Sequence, residues 1–230
     1  PIVNSGLEKK QLEFQENSRG WMIPTTDDLN IDFNYSVPTK AQTGVAWYPK
    51  YSKEGTFQVG ETHQVASNLN SLYDAAVASN TGDIIELTDK GPYVLSKKIP
   101  INHALTFRSN SIEKPVIVYS QTALFEINNG GSLQLENLII SGVETSDNSG
   151  NSVIATSKYS MNNNYKLFIN ACEFVDLDIN HSFDVLRVAK NTFADTVSIT
   201  NSRFEKVTGH VLAMDKETDD DGIYNAEYLI

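Results

Sequence analysis

The sequence predicts an all-β chain: a right-handed parallel β-helix solenoid with an amino-terminal capping α-helix, preceded by an extended linker. Three observations carry this. One short apolar pattern returns at a nearly constant spacing, the recurring elements are short and alternating, and a single helical stripe stands directly before the first of them.

The pattern is clearest after Leu133. Leu133-Gln134-Leu135 returns as Leu167-Phe168-Ile169 and as Val197-Ser198-Ile199, and Tyr228-Leu229-Ile230 begins it again. Matching Leu135, Ile169, Ile199 and Ile230 gives steps of 34, 30 and 31 residues. Spacings of this size mark a solenoid, propeller or array. No repeat has room for a long helix, which selects stacked β coils. Alternate strand residues face opposite ways, so Leu133, Leu135, Ile169 and Ile199 point inward while Gln134 and Ser198 point out. One coil cannot bury its own inward row; a stack of coils can, and it pairs every strand edge except those at its two ends. Asn170 and Asn201 fall at the turns, where asparagine tolerates unusual backbone angles and bonds the backbone.

In chain order, residues 1–60 lie outside the repeat and read as the end of a preceding domain and an interdomain linker; residues 61–230 read as the β-helix domain. The stretch from Trp21 to Pro49 is rich in Thr, Asp, Asn and Pro and shows no sustained period. Within it, Trp47-Tyr48-Pro49 is an aromatic group suited either to stacking on a sugar or to anchoring the linker. Val65, Leu69, Leu72, Tyr73, Ala76 and Val77 recur at helical spacing until Ser79-Asn80-Thr81-Gly82 stops them. Placed just before Asp83-Ile84-Ile85-Glu86-Leu87, this helix would cover the open apolar end of the first coil. Strands then follow at Ile84–Leu87, Tyr93–Leu95, Leu105–Phe107, Val116–Tyr119, Leu124–Ile127 and Leu133–Leu135, separated by Gly, Pro, Asn and Ser. The polar gaps Val143–Ser152 and Ser157–Asn164 read as loops, the usual seat of binding on a rigid scaffold.

Composition narrows the function. A formal net charge of −11 over 230 residues excludes general nucleic-acid binding, which needs basic surface. It also excludes a whole surface that grips a polyanion, while leaving room for a local basic groove. The single Cys172 cannot form an intrachain disulfide and falls on the repeat as a small buried residue. No apolar run is long enough to span a membrane. The chain opens without an initiator Met or an apolar leader and stops within a strand-like beat, so it reads as a fragment cut at both ends.

Several side chains are candidates for chemistry. Arg187, Lys190, Arg203 and Lys206 recur on neighbouring coils and could line a groove for carboxylates, to which Arg is suited by paired hydrogen bonds. Arg108, Lys97 and Lys98 lie nearer the cap. Asp215, Lys216, Glu217, Asp219, Asp220 and Asp221 form an acidic cluster; Asp219, Asp220 and Asp221 are candidates for holding an ion. The surrounding acids would raise the Lys216 pKa, the wrong direction for a base. His63, His103, His181 and His210 show no ligand spacing.

Four stretches resemble polysaccharide lyase family 6, the alginate lyase and chondroitinase B group. They are Gly44-Val45-Ala46-Trp47-Tyr48-Pro49; Leu69-Asn70-Ser71-Leu72-Tyr73-Asp74-Ala75-Ala76 with Gly82-Asp83-Ile84-Ile85; Thr192-Phe193-Ala194-Asp195; and Asp215 to Tyr228. The last resembles the carboxy-terminal β-helix domain of two-domain poly(β-D-mannuronate) lyases. The resemblance implies β-elimination on an acidic polysaccharide such as alginate, with a Lys base, an Arg near the leaving oxygen and calcium neutralising the uronate carboxylate. It implies that these groups, calcium included, belong to a preceding catalytic β-helix domain, and it maps none of them onto a position here. It further implies a secreted or periplasmic bacterial protein and, for this portion, support of the catalytic domain or homodimer contacts. Two other readings stand beside it: a lyase whose groove lies among Arg187, Arg203 and Lys216, and a non-catalytic carbohydrate-binding or adhesive β-helix.

Overall fold

Inward rows of aliphatic side chains stay dry only if the coils that carry them are stacked, and the structure stacks them. In this computed structural model the described residues are 21–22, 37–38, 57, 59–68, 71–159, 162–189, 192–214 and 226–229. The chain divides into two compact units, Pro1–Gly55 and Thr56–Ile230. In the first, the described strands β1 (Trp21–Met22) and β2 (Val37–Pro38) pair antiparallel.

The second unit is a parallel β-helix. It begins with β3 (Thr62–Val65) and α1 (Ser71–Ala78). Then β4 (Ile84–Leu87), β5 (Tyr93–Leu95) and β6 (Ile99–Ile101) complete one coil. The next is β7 (Ala104–Arg108), β8 (Val116–Tyr119) and β9 (Ala123–Ile127), followed by β10 (Ser132–Glu136), β11 (Ile139–Ser141) and β12 (Ser152–Thr156). Two more follow: β13 (Asn162–Asn170), β14 (Glu173–Val175) and β15 (Asp184–Arg187), then β16 (Thr192–Thr200), β17 (Arg203–Phe204) and β18 (Leu212–Ala213), with β19 (Ala226–Leu229) after them. Like strands of successive coils pair in parallel. They build a seven-stranded sheet B (β3-β4-β7-β10-β13-β16-β19), a five-stranded sheet C (β5-β8-β11-β14-β17) and a five-stranded sheet D (β6-β9-β12-β15-β18).

The register follows the repeat. Phe107, Leu135, Ile169 and Ile199 stand in one row, and Leu105, Leu133, Leu167 and Val197 in another. All of these are buried except Ile199, which packs on the core partly covered. Phe174 and Phe204 stack at 5.2 Å between coils in sheet C. At the far end β19 corrects the expected match: Leu229 pairs with Val197 where the repeat put Tyr228, one residue out of the expected register. A slip of one residue in a strand reverses which face a side chain takes.

The helix is shorter than its stripe suggested. Val65 belongs to β3, paired with Leu87, rather than to α1. Leu72 and Ala76 are the buried residues of α1, which packs against β3, β4, β5 and β6 and so covers the first strand of all three sheets. Ser79 ends it by donating its hydroxyl to Ala76 O (2.6 Å), and Gly82, at φ 88°, turns the chain into β4. The strand β6 has no counterpart among the expected strands because Pro100 sits at its centre. Sheet D admits it because β6 is an edge strand, paired only to β9, where a missing N–H costs little.

The turn between sheets B and C also differs in detail. The positive-φ position is occupied in successive coils by Asn137 (56°), Ala171 (55°) and Asn201 (51°). Asn170 instead ends β13, and its carboxamide oxygen accepts hydrogen bonds from Asn201 Nδ2 and Thr200 Oγ1, both at 3.0 Å.

Candidate functional site

A cation on a strand of this fold has a neighbour 4.7–4.9 Å away on the next coil, so its charge depends on what the coil beneath presents. On sheet C and the segments flanking its strands the partners are carboxylates. Lys114 Nζ lies 2.8 Å from Glu173 Oε1, and Arg203 Nη1 is 3.6 Å from Glu173 Oε2. Arg203 also pairs with Glu205. Lys206 Nζ sits 2.8 Å from Asp176 Oδ1. The Lys114 ammonium holds the Glu173 carboxyl below its usual range, and Lys206 does the same for Asp176, while Asp176 raises the Lys206 ammonium in return. Arg108 pairs with Glu86 at 2.9 Å and Lys98 with Glu126 at 3.3 Å. Lys97 lies over the Tyr73 ring, 4.9 Å from its centroid.

Arg187 is placed apart from Arg203 and Lys206, on β15 of sheet D. Its Nε lies 3.3 Å from Asp184 Oδ2, and its Nη2 donates to Ser149 O at 3.4 Å. The other oxygen of Asp184 accepts from the backbone N–H of His210 at 2.9 Å and lies 3.2 Å from His210 Nδ1. One carboxylate, fully buried, thus carries an arginine on one oxygen and a histidine on the other, with side chains 30% and 60% exposed. His210 is fixed further because its carbonyl accepts from Val185 N at 2.8 Å. Gly209 makes the approach possible: a Cβ there would fall 2.5 Å from Asp184 Oδ1 and from Phe183 O.

This Asp184–Arg187–His210 cluster is the chemistry-bearing constellation that the sequence pattern left scattered. In sheet B, Leu167 pairs with Val197, a step of 30, but in sheet D Leu186 pairs with Leu212, a step of 26. Loops of different length between the sheets make the period of one sheet a poor guide to the register of another. The usable signal was a Gly-His pair a coil length after an Asp at a strand start.

The remaining candidates stay separate. His63 Nε2 lies 2.8 Å from Asp83 Oδ2. The N–H groups of Asn80 (2.8 Å) and Glu61 (2.9 Å) also donate to Asp83, and with His63 they hold its carboxyl below the usual range despite burial. His103 Nε2 meets Ser79 Oγ at 3.1 Å, but that hydroxyl gives its hydrogen to Ala76 O, so it is not a nucleophile activated by His103. His181 is exposed. Burial pushes the Cys172 thiol up to about 11, which makes it inert at neutral pH. No group of three or more His, Cys, Asp or Glu side chains converges among the described residues. Trp47, Lys190, Lys216, Glu217, Asp215, Asp219, Asp220 and Asp221 lie outside the described residues. No described helix is long and apolar enough to cross a membrane.

No family profile matches the chain, and no curated protein does. Solved structures do. One, the PL6 family alginate lyase AlyGC, is 36% identical over 86% of this chain and 28% of its own, with a TM-score of 0.72. An arginine-to-alanine variant of AlyGC is 34% identical over 100% of this chain and 32% of its own, also with a TM-score of 0.72. The chain spans about a third of the length of these structures. By shared coil architecture and by identity along the aligned length, this chain is related to the PL6 family of alginate lyases and has that family's parallel β-helix fold.

Proposed function

We propose that the chain is part of a secreted or periplasmic polysaccharide lyase that cleaves an alginate-type acidic polysaccharide by β-elimination, and that this portion is mainly its accessory second β-helix. Residues 1–60 would then be the end of the preceding catalytic domain and the linker from it. The Lys base, the Arg near the leaving oxygen and any calcium would belong to that domain, and this β-helix would support it or contribute to a homodimer.

The observation that carries the accessory role is the state of the cations on sheet C. Lys114 meets a carboxylate two coils away, and Arg203 and Lys206 meet carboxylates of their own or the adjacent coil, so they present little net positive charge to a polyanion. The proton alpha to a uronate carboxylate is weakly acidic, and its removal needs a base together with charge neutralisation at the carboxylate. Pairs already closed on one another supply neither.

The test is to give the longer protein that contains this chain polymannuronate, polyguluronate and chondroitin, and to follow the ultraviolet absorbance of the unsaturated uronate product. Absorbance rising with at least one of these polymers is the expected result. Binding without product on all three would favour a carbohydrate-binding solenoid instead.

A further inference from the structure

We infer that Arg187 and His210, held on the two oxygens of Asp184, form a binding subsite for one unit of a uronate polymer. The guanidinium takes the sugar carboxylate, and the imidazole Nε2 takes the hydrogen of a neighbouring hydroxyl. The inference rests on the acidic-polysaccharide reading above and adds a contact surface to the accessory β-helix.

Three features separate this cluster from the paired cations of sheet C. First, the anion is sealed: Asp184 is fully buried while both of its partners reach solvent. At Arg203 and Lys206 the partner acids Glu205 and Asp176 are themselves 44% and 36% exposed and would face an arriving carboxylate. Second, donor and acceptor stand side by side. A carboxylate only accepts, so Nδ1 of His210 carries the hydrogen towards Asp184, and an Nε2 without a hydrogen is left as an acceptor. Arg187 engages Asp184 through Nε and Ser149 O through Nη2, and a guanidinium has five N–H donors in a planar fork. A uronate ring offers the complementary set, a carboxylate beside hydroxyl groups. Third, the flank carries no side chain at Gly150: a Cβ there would come within 3.2 Å of Arg187 Nη1 and crowd that edge of the fork. Asp184 and Arg187 stand at the two ends of β15, which is paired on both sides, and a strand fixes their geometry more tightly than a loop would.

The experiment follows the His210 imidazole by NMR, its signal assigned with His210→Gln, during titration of this chain with mannuronate and guluronate oligomers and with a neutral manno-oligosaccharide. The inference predicts a saturable shift with a uronate oligomer and none with the neutral sugar. Arg187→Gln should weaken binding about tenfold, the effect of losing one charge-assisted hydrogen bond, and Arg187→Lys should restore part of it. If Arg187→Gln does not fold, Gly150→Ala serves in its place, because it crowds the guanidinium edge without touching the ion pair. A signal indifferent to every uronate oligomer, or equally responsive to the neutral sugar, overturns the subsite. Lyase activity of the longer protein, measured in parallel, keeps the two readings distinct. Activity with a silent His210 removes the subsite alone; a uronate-specific His210 response in a protein that cleaves nothing keeps the subsite and removes the lyase.

Discussion

Lys206 stands one coil above Asp176 with their charged atoms 2.8 Å apart, and both residues hold the same left-handed backbone angle, φ 54°. The turn between sheets C and D therefore repeats a strained conformation at stacked positions and ties the two together with an ion pair. Replacing Lys206 by Gly loses the pair but relieves its backbone, whereas Lys206→Ala loses the pair and keeps the strain. Thermal unfolding should rank wild type and Lys206→Gly close together and Lys206→Ala below both. The wild-type advantage over Lys206→Ala should shrink with added salt, since the pair is exposed.

The turn between sheets B and C isolates the backbone effect. Ala171 adopts φ 55° between asparagines of the adjacent coils, with no side-chain polar group to compensate. Ala171→Gly should stabilise the protein by about 1 kcal/mol, the net of roughly 1–2 kcal/mol for relieving a left-handed L residue and roughly 0.4–1 kcal/mol for the entropy of a new glycine. Urea midpoints of the two proteins measure it.

The stacked core predicts steep position dependence. Leu135 is fully buried in the row between Phe107 and Ile169, and Leu135→Ala should cost about 2–5 kcal/mol. Val143, 59% exposed on the loop after β11, should tolerate Ala within about 0.5 kcal/mol. Equal losses at the two positions would contradict the coil model.

Asp83 gives the fold an acid limb. Its folded carboxyl lies below the ordinary aspartate value, chiefly through the Asn80 N–H, with His63 and Glu61 adding to it. The stabilisation is therefore present above the unfolded value, about pH 4, and is lost as pH falls through the depressed folded value. Asp83→Asn should be less stable than wild type at pH 7, and the difference should narrow towards pH 3. Denaturant midpoints at the two pH values test the sign.

Most of the solenoid was legible because its signal is local and repeated. Ile84–Leu87, Tyr93–Leu95 and Val116–Tyr119 are strands with the expected bounds, and Leu135, Ile169 and Ile199 share a row. What escaped depended on partners distant in the chain. Pro100 hides a strand that only an edge position permits. Val65 matched a helical stripe but pairs with Leu87 across the first coil. Arg187 and His210 meet only through Asp184 and a sheet D step of 26 residues, which the sheet B period does not give.

The proposed accessory role is tested most directly by incubating this 230-residue chain alone with polymannuronate, alongside the longer protein proposed to contain it. The account predicts unsaturated product from the longer protein and none from the chain. Product from the chain by itself, abolished by Arg187→Gln or His210→Gln, would contradict it and place the lyase chemistry in this β-helix.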